Sequence, residues 1–178
     1  LPDEIWVSDN LAFKIAKNEF KENIKIKRIK NHYFERARSF FLKKNKLFKK
    51  NKKKKVLYLC EPIDEHHKKK NFYTEKNCID LFFEKLKKFK NINKITFRPH
   101  PYESVEKYKW VLNSKKYNIK INKKNNVLSE ISKHDIVVGC NTVALYLAIL
   151  GKKKVYTSIP KGYFCNIPSK KIKYLNQI

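Results

Sequence analysis

Two runs, Val56-Leu57-Tyr58-Leu59-Cys60 and Ile136-Val137-Val138-Gly139-Cys140, constrain the fold more than any other feature of this chain. Each lacks the polar alternation of a half-exposed strand, so both faces of the strand it forms must be covered. That is the pattern of a strand inside a parallel sheet with helices on either side. Helical patterns stand between the strand-like runs. Residues 74–89 place Ile79, Phe82, Phe83, Leu86 and Phe89 on one inward stripe. Residues 104–112 predict a second helix and 127–133 one or two helical turns. A strongly apolar helix opens at Asn141-Thr142 and stops at Gly151. Further strands are expected over 94–98, 118–121 and 154–157. Strands separated by helices of this length imply right-handed crossovers, which makes the chain α/β with a Rossmann-like, doubly wound parallel sheet.

A separate unit precedes this pattern. Residues 3–8 read as a strand, Asp9 or Asn10 as a helix cap, and Leu11, Ile15, Ala16 and Phe20 fall at helical spacing. Residues 24–29 alternate Ile with basic residues as a strand does, so 1–31 predict one β-α-β unit. A short helix over 33–42 then leads into the basic run 43–55. This run reads as a solvated connection between domains. Its alternative is contact with an anionic membrane surface, where each Lys contributes about 1 kcal/mol and Leu47 and Phe48 assist. The chain contains no methionine, so it is read as part of a longer protein. Residues 167–178 are read as a truncated piece of the second domain.

Charge offers a competing reading. Lys and Arg number 43 against 16 Asp and Glu, a formal net charge of +27, but four of the 43 are Arg: Arg28, Arg36, Arg38 and Arg98. Base and phosphate recognition on nucleic acid favours the bidentate Arg fork, so a nucleic-acid partner is disfavoured. Cys60, Cys78, Cys140 and Cys165 lie far apart, without zinc or disulfide-framework spacing, and Cys60 and Cys140 read as buried thiols in a reducing cytoplasm. His66 and His67 lack ligand-spaced partners, so no metal is expected. His32 and His134 read as surface residues, and Tyr163, Phe164 and the aromatics of 74–89 as packing residues. No apolar run reaches transmembrane length.

Four strand ends would gather along one edge of the sheet: Cys60-Glu61-Pro62, Arg98-Pro99-His100-Pro101, Gly139-Cys140-Asn141-Thr142 and Thr157-Ser158-Ile159-Pro160. Two prolines end the second strand and hold its histidine at the edge where open α/β sheets bind ligands. In the third, Gly139 allows close backbone approach, the N–H groups opening the next helix favour an anion, and Thr142 adds a hydroxyl. Arg98 or His100 would neutralise a second phosphate charge or a leaving oxygen. Taken singly, the second segment also reads as a strand-ending turn and the third as an ordinary N-cap.

The order of these segments resembles the C-terminal, donor-binding domain of GT-B glycosyltransferases over residues 55–160. The His100-Pro101 pair is similar to that of bacterial sialyltransferases and polysialyltransferases, and of capsule and teichoic-acid polymerases that use CMP- or CDP-activated donors. The resemblance implies that residues 1–36 end an N-terminal acceptor domain, 37–54 form a basic linker, and 55–178 form the nucleotide-sugar-binding domain. It implies His100 as the catalytic group assisting departure of the nucleotide, Pro101 as the shaper of its turn, and Arg98, Gly139, Asn141 and Thr142 as donor and phosphate ligands. Glu61, Pro62, Glu103 and Ser158 are weaker candidates, Glu61 and Glu103 for the nucleoside or for orienting the histidine. Tyr146 stands where many UDP-sugar enzymes carry a ribose-binding Glu, which disfavours UDP-sugars.

The activity so implied is transfer of a sugar, for example a CMP-activated acidic one, to a surface polysaccharide or lipid-linked glycan. The nucleotide-sugar enters as substrate, with no cofactor or metal. The catalytic base would come from the N-terminal domain, so this part alone should show little activity. The location implied is cytoplasmic or peripheral at the inner face of the membrane. Two other classes share these features: a sugar-nucleotide epimerase of the same architecture, and a non-catalytic basic module for nucleic acid or anionic membrane.

Overall fold

The computed structural model describes residues 2–20, 23–45, 53–66, 72–114 and 116–178. It begins with β1 (Glu4–Val7), α1 (Asn10–Glu19) and β2 (Lys25–Arg28), and β1 and β2 pair in parallel. Asp9 caps α1 by accepting the Ala12 N–H at 2.8 Å. Trp6, Leu11, Ile15 and Phe20 of this unit are exposed.

Next comes α2 (His32–Asn45), followed by β3 (Lys54–Leu59), α3 (Ile63–His66), α4 (Glu75–Leu86) and β4 (Ile92–Arg98). A 3-10 helix over Glu106–Asn113 leads to β5 (Ile119–Ile121), α5 (Val127–Ser132), β6 (Ile136–Gly139), α6 (Val143–Leu150), β7 (Lys154–Thr157) and β8 (Ile172–Tyr174). The second sheet has the order β5-β4-β3-β6-β7-β8, and every pairing is parallel. Counted from β3, this is the doubly wound order 3-2-1-4-5-6, so the winding reverses between β3 and β6.

The apolar run of β3 is explained by its two faces. Val56 and Tyr58 pack with Ile79, Phe82 and Leu86 of α4 and with Tyr108 and Val111. Leu57 and Leu59 face the other way, onto Ala37 and Phe41 of α2, Ile131 of α5 and Leu145 and Ala148 of α6. Thr74 and Asn77 form a reciprocal capping box that fixes the start of α4.

Several expectations gain detail here, and one is corrected. Residues 37–45 of the expected linker are helical, and α2 packs against α5 and α6. A Cβ on Gly151 would meet the Phe41 ring at 3.2 Å, so that glycine leaves room for α2 to close. Residues 46–52, with Leu47 and Phe48, lie outside the described residues. Residues 167–178 join the second sheet: they contribute β8, and Leu175 is fully buried. His134 is buried rather than on the surface. Its Nδ1–H donates to the Glu130 carbonyl at 2.6 Å and its Nε2 accepts from Thr96 Oγ1 at 3.0 Å, an assignment set by that network. Desolvation pushes its pKa down, as expected for a neutral core histidine. His32 is exposed, as expected.

Candidate functional site

The reversal between β3 and β6 sets their C-terminal ends side by side, which is where this sheet type opens a crevice. Glu61 follows β3 there. Its Oε1 accepts the N–H of Cys140 at 3.2 Å and of Asn141 at 2.7 Å, across nearly half the chain in sequence. Thr142 caps α6, its Oγ1 accepting the Ala144 N–H at 3.3 Å. The backbone donors expected to meet phosphate are therefore engaged by a resident carboxylate. Burial pushes the Glu61 carboxyl up to about 7, against the backbone N–H groups of Asn141, Cys140 and Thr142, which favour its ionised form. Asn141 Oδ1 accepts the Asn166 N–H at 2.7 Å, which ties the loop after β7 to the same corner.

Two residues expected at the site are elsewhere. Gly139 is buried, and a Cβ there would lie 3.3 Å from Leu145 Cδ2, from Leu59 Cβ and from the Leu59 carbonyl. It permits α6 and β3 to pack closely and does not line the crevice. Ser158 is fully buried, within 3.0 Å of the Tyr58 hydroxyl and donating to the Gly139 carbonyl at 3.3 Å. It is a hydroxyl of the core.

His100 sits on the opposite wall. Its backbone N–H donates to Glu103 Oε2 at 3.0 Å, and the Glu103 N–H returns a bond to the His100 carbonyl at 2.9 Å. The Tyr102 N–H donates to His100 Nδ1 at 3.4 Å, so in the neutral ring Nε2 carries the proton. Glu103 is buried, and its Oε1 accepts Tyr108 Oη at 2.6 Å and Lys107 Nζ at 3.0 Å. Lys107 also reaches Glu75 at 2.6 Å. These contacts engage Glu103 as a brace for the turn, leaving a nucleoside-binding role without structural support. The sequence pattern does not single out Glu75, Lys107 or Tyr108. The available signal was the four-residue spacing of Glu103 and Lys107.

A cavity of about 590 Å³ opens between the two walls, lined by Glu61, Pro62, His100, Asn141 and Thr142 and closed on one side by aromatic rings. Phe72 stacks on Tyr73 with centroids 4.4 Å apart, and Tyr163 meets Tyr73 edge-on at 4.9 Å. Phe164, expected among the packing residues, is 79% exposed and lines the same cavity. A second cavity of about 400 Å³ is lined by Arg98, Pro101 and Asn126, and it shares His100 and Thr142 with the first. Arg98 Nη1 is buried without a hydrogen-bond partner, and burial pushes the guanidinium pKa down while the Glu130 carboxylate opposes this. A larger cavity of about 790 Å³ lies beyond the aromatic wall beside α4. None of the expected site residues lines it.

No protein family and no curated protein matches the sequence. Two solved structures resemble the fold. KpsC of Thermosulfurimonas dismutans, a β-Kdo 2,4 transferase, is 12% identical with a TM-score of 0.45, over 71% of this chain and 43% of that one. The wall teichoic acid polymerase TagF is 13% identical with a TM-score of 0.45, over 87% of this chain and 39% of that one. The chain thus spans less than half the length of either.

Tyr146 lies on the α2 side of α6, its ring 4.8 Å from that of Phe34. Among the described residues no cluster of three or more His, Cys, Asp or Glu side chains is arranged to hold a metal ion, and no helix is long and apolar enough to cross a membrane. His67 lies outside the described residues.

Proposed function

We propose that this chain is the donor-binding part of a nucleotide-sugar-dependent glycosyltransferase of GT-B type, with β1–α1–β2 the last unit of its acceptor domain. The observation that carries this reading is the meeting of His100 and Thr142 at the switch point, where both line each of two adjoining cavities. The Nε2–H of His100 can donate a hydrogen bond to a departing phosphate oxygen, and the imidazolium form can pass that oxygen a proton and return to the neutral ring, while Asn141 and Thr142 orient the phosphate. The Nη1 of Arg98, which lacks a hydrogen-bond partner, suits a further anionic group, such as the acid of a CMP-activated acidic sugar. The acceptor would be a surface polysaccharide or lipid-linked glycan reached from the cytoplasm, at the inner face of the membrane if the lysine run makes contact there.

Titration calorimetry with CMP, CDP and UDP tests this. Cytidine nucleotides should bind more tightly than UDP, and His100→Ala and Thr142→Ala should each weaken binding about tenfold or more, the scale of a lost hydrogen bond to a charged group. Equal binding of all three nucleotides, or none, would count against the reading. Conversion of a sugar nucleotide without any acceptor would favour an epimerase. Binding to nucleic acid or anionic vesicles that collapses with salt and ignores His100→Ala would favour a basic module.

A further inference from the structure

The N–H groups of Cys140 and Asn141 are the pair that a phosphate oxygen would take at the opening of α6, and Glu61 Oε1 already holds them, at 3.2 and 2.7 Å. A phosphate and an ionised carboxylate at that place would repel each other in a partly desolvated crevice. We propose that Glu61 is a resident stand-in for the ligand phosphate, and that a nucleotide phosphate takes over these N–H groups only as Glu61 gains a proton. The inference rests on the donor-site reading and names how that same site is controlled.

Among the described residues, the surroundings of Glu61 supply no side-chain cation to keep two anions together. From the 101–108 turn, Glu103 faces it and raises its proton affinity. Glu75 of α4 lies with it around a small internal gap, together with Tyr58 and Tyr108. The nearby cation of that turn, Lys107, already bridges Glu75 and Glu103. On the remaining sides stand Tyr73 and Cys165, pushed up by burial, and Cys78, pushed up by its hydrogen bond with Cys140 and then by burial, so all three stay neutral near pH 7. Cys140 follows β6, and its thiol lies 3.6 Å from Ser158 Oγ. His100 lies across the cavity. Among the described residues no side-chain cation lies within ion-pair distance of Glu61, and the groups that meet its charge there are the N–H groups at the entrance of α6.

The proton balance is simple. The empty protein near pH 7 holds Glu61 partly ionised. In each molecule whose Glu61 is ionised, binding transfers one proton from solvent to the carboxyl, which releases the two N–H groups and can donate its new O–H to a phosphate oxygen; net uptake is a fraction of a proton at pH 7 and approaches one above it. Affinity should therefore be nearly flat below pH 7 and fall by up to tenfold for each unit above it. Glu61→Gln keeps an acceptor of the same shape and removes the titration.

The test is calorimetric titration of the chain with a CMP-activated sugar, whose phosphodiester does not titrate between about pH 6 and 9, using wild type and Glu61→Gln. At about pH 7 to 7.5, repeating the wild-type titration in buffers of different ionisation enthalpy counts the protons taken up. The expected result is net proton uptake by wild type, with a loss of affinity between pH 7 and 8.5 that is about tenfold or more larger than in Glu61→Gln. His100 is present in both proteins and cancels in that comparison. Binding with the same pH slope in both and no proton uptake would overturn this proposal while leaving the donor site standing. Absence of binding by either protein at every pH would overturn it together with the donor-site reading.

Discussion

The two walls of the crevice are braced from opposite directions. The His100 turn is held from behind: Glu103 is buried beneath it, and its carboxylate is satisfied by Tyr108, Lys107 and the His100 N–H, with Lys107 compensating its charge. The entrance of α6 is held from the cavity side, by Glu61, a carboxylate that lines the cavity itself and has no cation to pair with among the described residues. A contact buried behind a functional group fixes its position. A contact on the open side competes with whatever the site is built to receive.

This contrast sets the order of expected effects. The largest belongs to Glu103→Ala, which strips three donors of their shared acceptor and leaves Lys107 with one partner fewer. It should cost about 4 kcal/mol in denaturant unfolding, the scale for breaking a buried ion pair. A loss below about 1 kcal/mol would mean that the turn holds itself.

The next effect is the pH dependence contributed by Glu61. Its carboxyl, pushed from the ordinary 4.5 to about 7, keeps a proton in the folded state that the unfolded chain has lost, so stability falls as pH rises through that window. Wild type should lose about 3 kcal/mol relative to Glu61→Gln between about pH 4.5 and pH 8, and the two should run parallel outside it. Parallel unfolding curves throughout would show that the α6 N–H groups offset the burial in full.

The smallest effect is that of Gly139→Ala, which pushes a methyl group to 3.3 Å from the Leu59 carbonyl. It should destabilise the fold by about 1 kcal/mol through overpacking and leave nucleotide affinity unchanged. A selective loss of affinity without loss of stability would return Gly139 to the phosphate site and blur the contrast between the walls.

Much of the sheet is legible from sequence because burial on two faces leaves a local mark. The unbroken apolar character of β3 is what the structure uses to cover α4 on one side and α2 with α6 on the other. The outer elements leave weaker marks. Ala37 and Phe41 share a helical face, but the adjoining lysines hide it. The three residues Ile172-Lys173-Tyr174 become a strand because β7 offers its edge. Glycine is ambiguous in another way: Gly139 signals that something must come close, and that proved to be Leu59 and Leu145. The engagement of Glu61 with Cys140 and Asn141 joins two loops that nothing local connects, so the sequence places both groups at one edge without revealing their bond. His134 escapes notice for the same reason, since its partner Thr96 lies on a strand distant in sequence.

The central claim is that a nucleotide binds in the crevice between these walls. Amide chemical shifts of the isotopically labelled chain, followed while CMP is added, test it most directly. The account predicts saturable changes centred on Cys140, Asn141, Thr142 and the His100–Glu103 turn, with the β1–α1–β2 unit unmoved. Changes confined to the lysine-rich surface and abolished by salt, with the Cys140 and Asn141 amides unaffected, would contradict it.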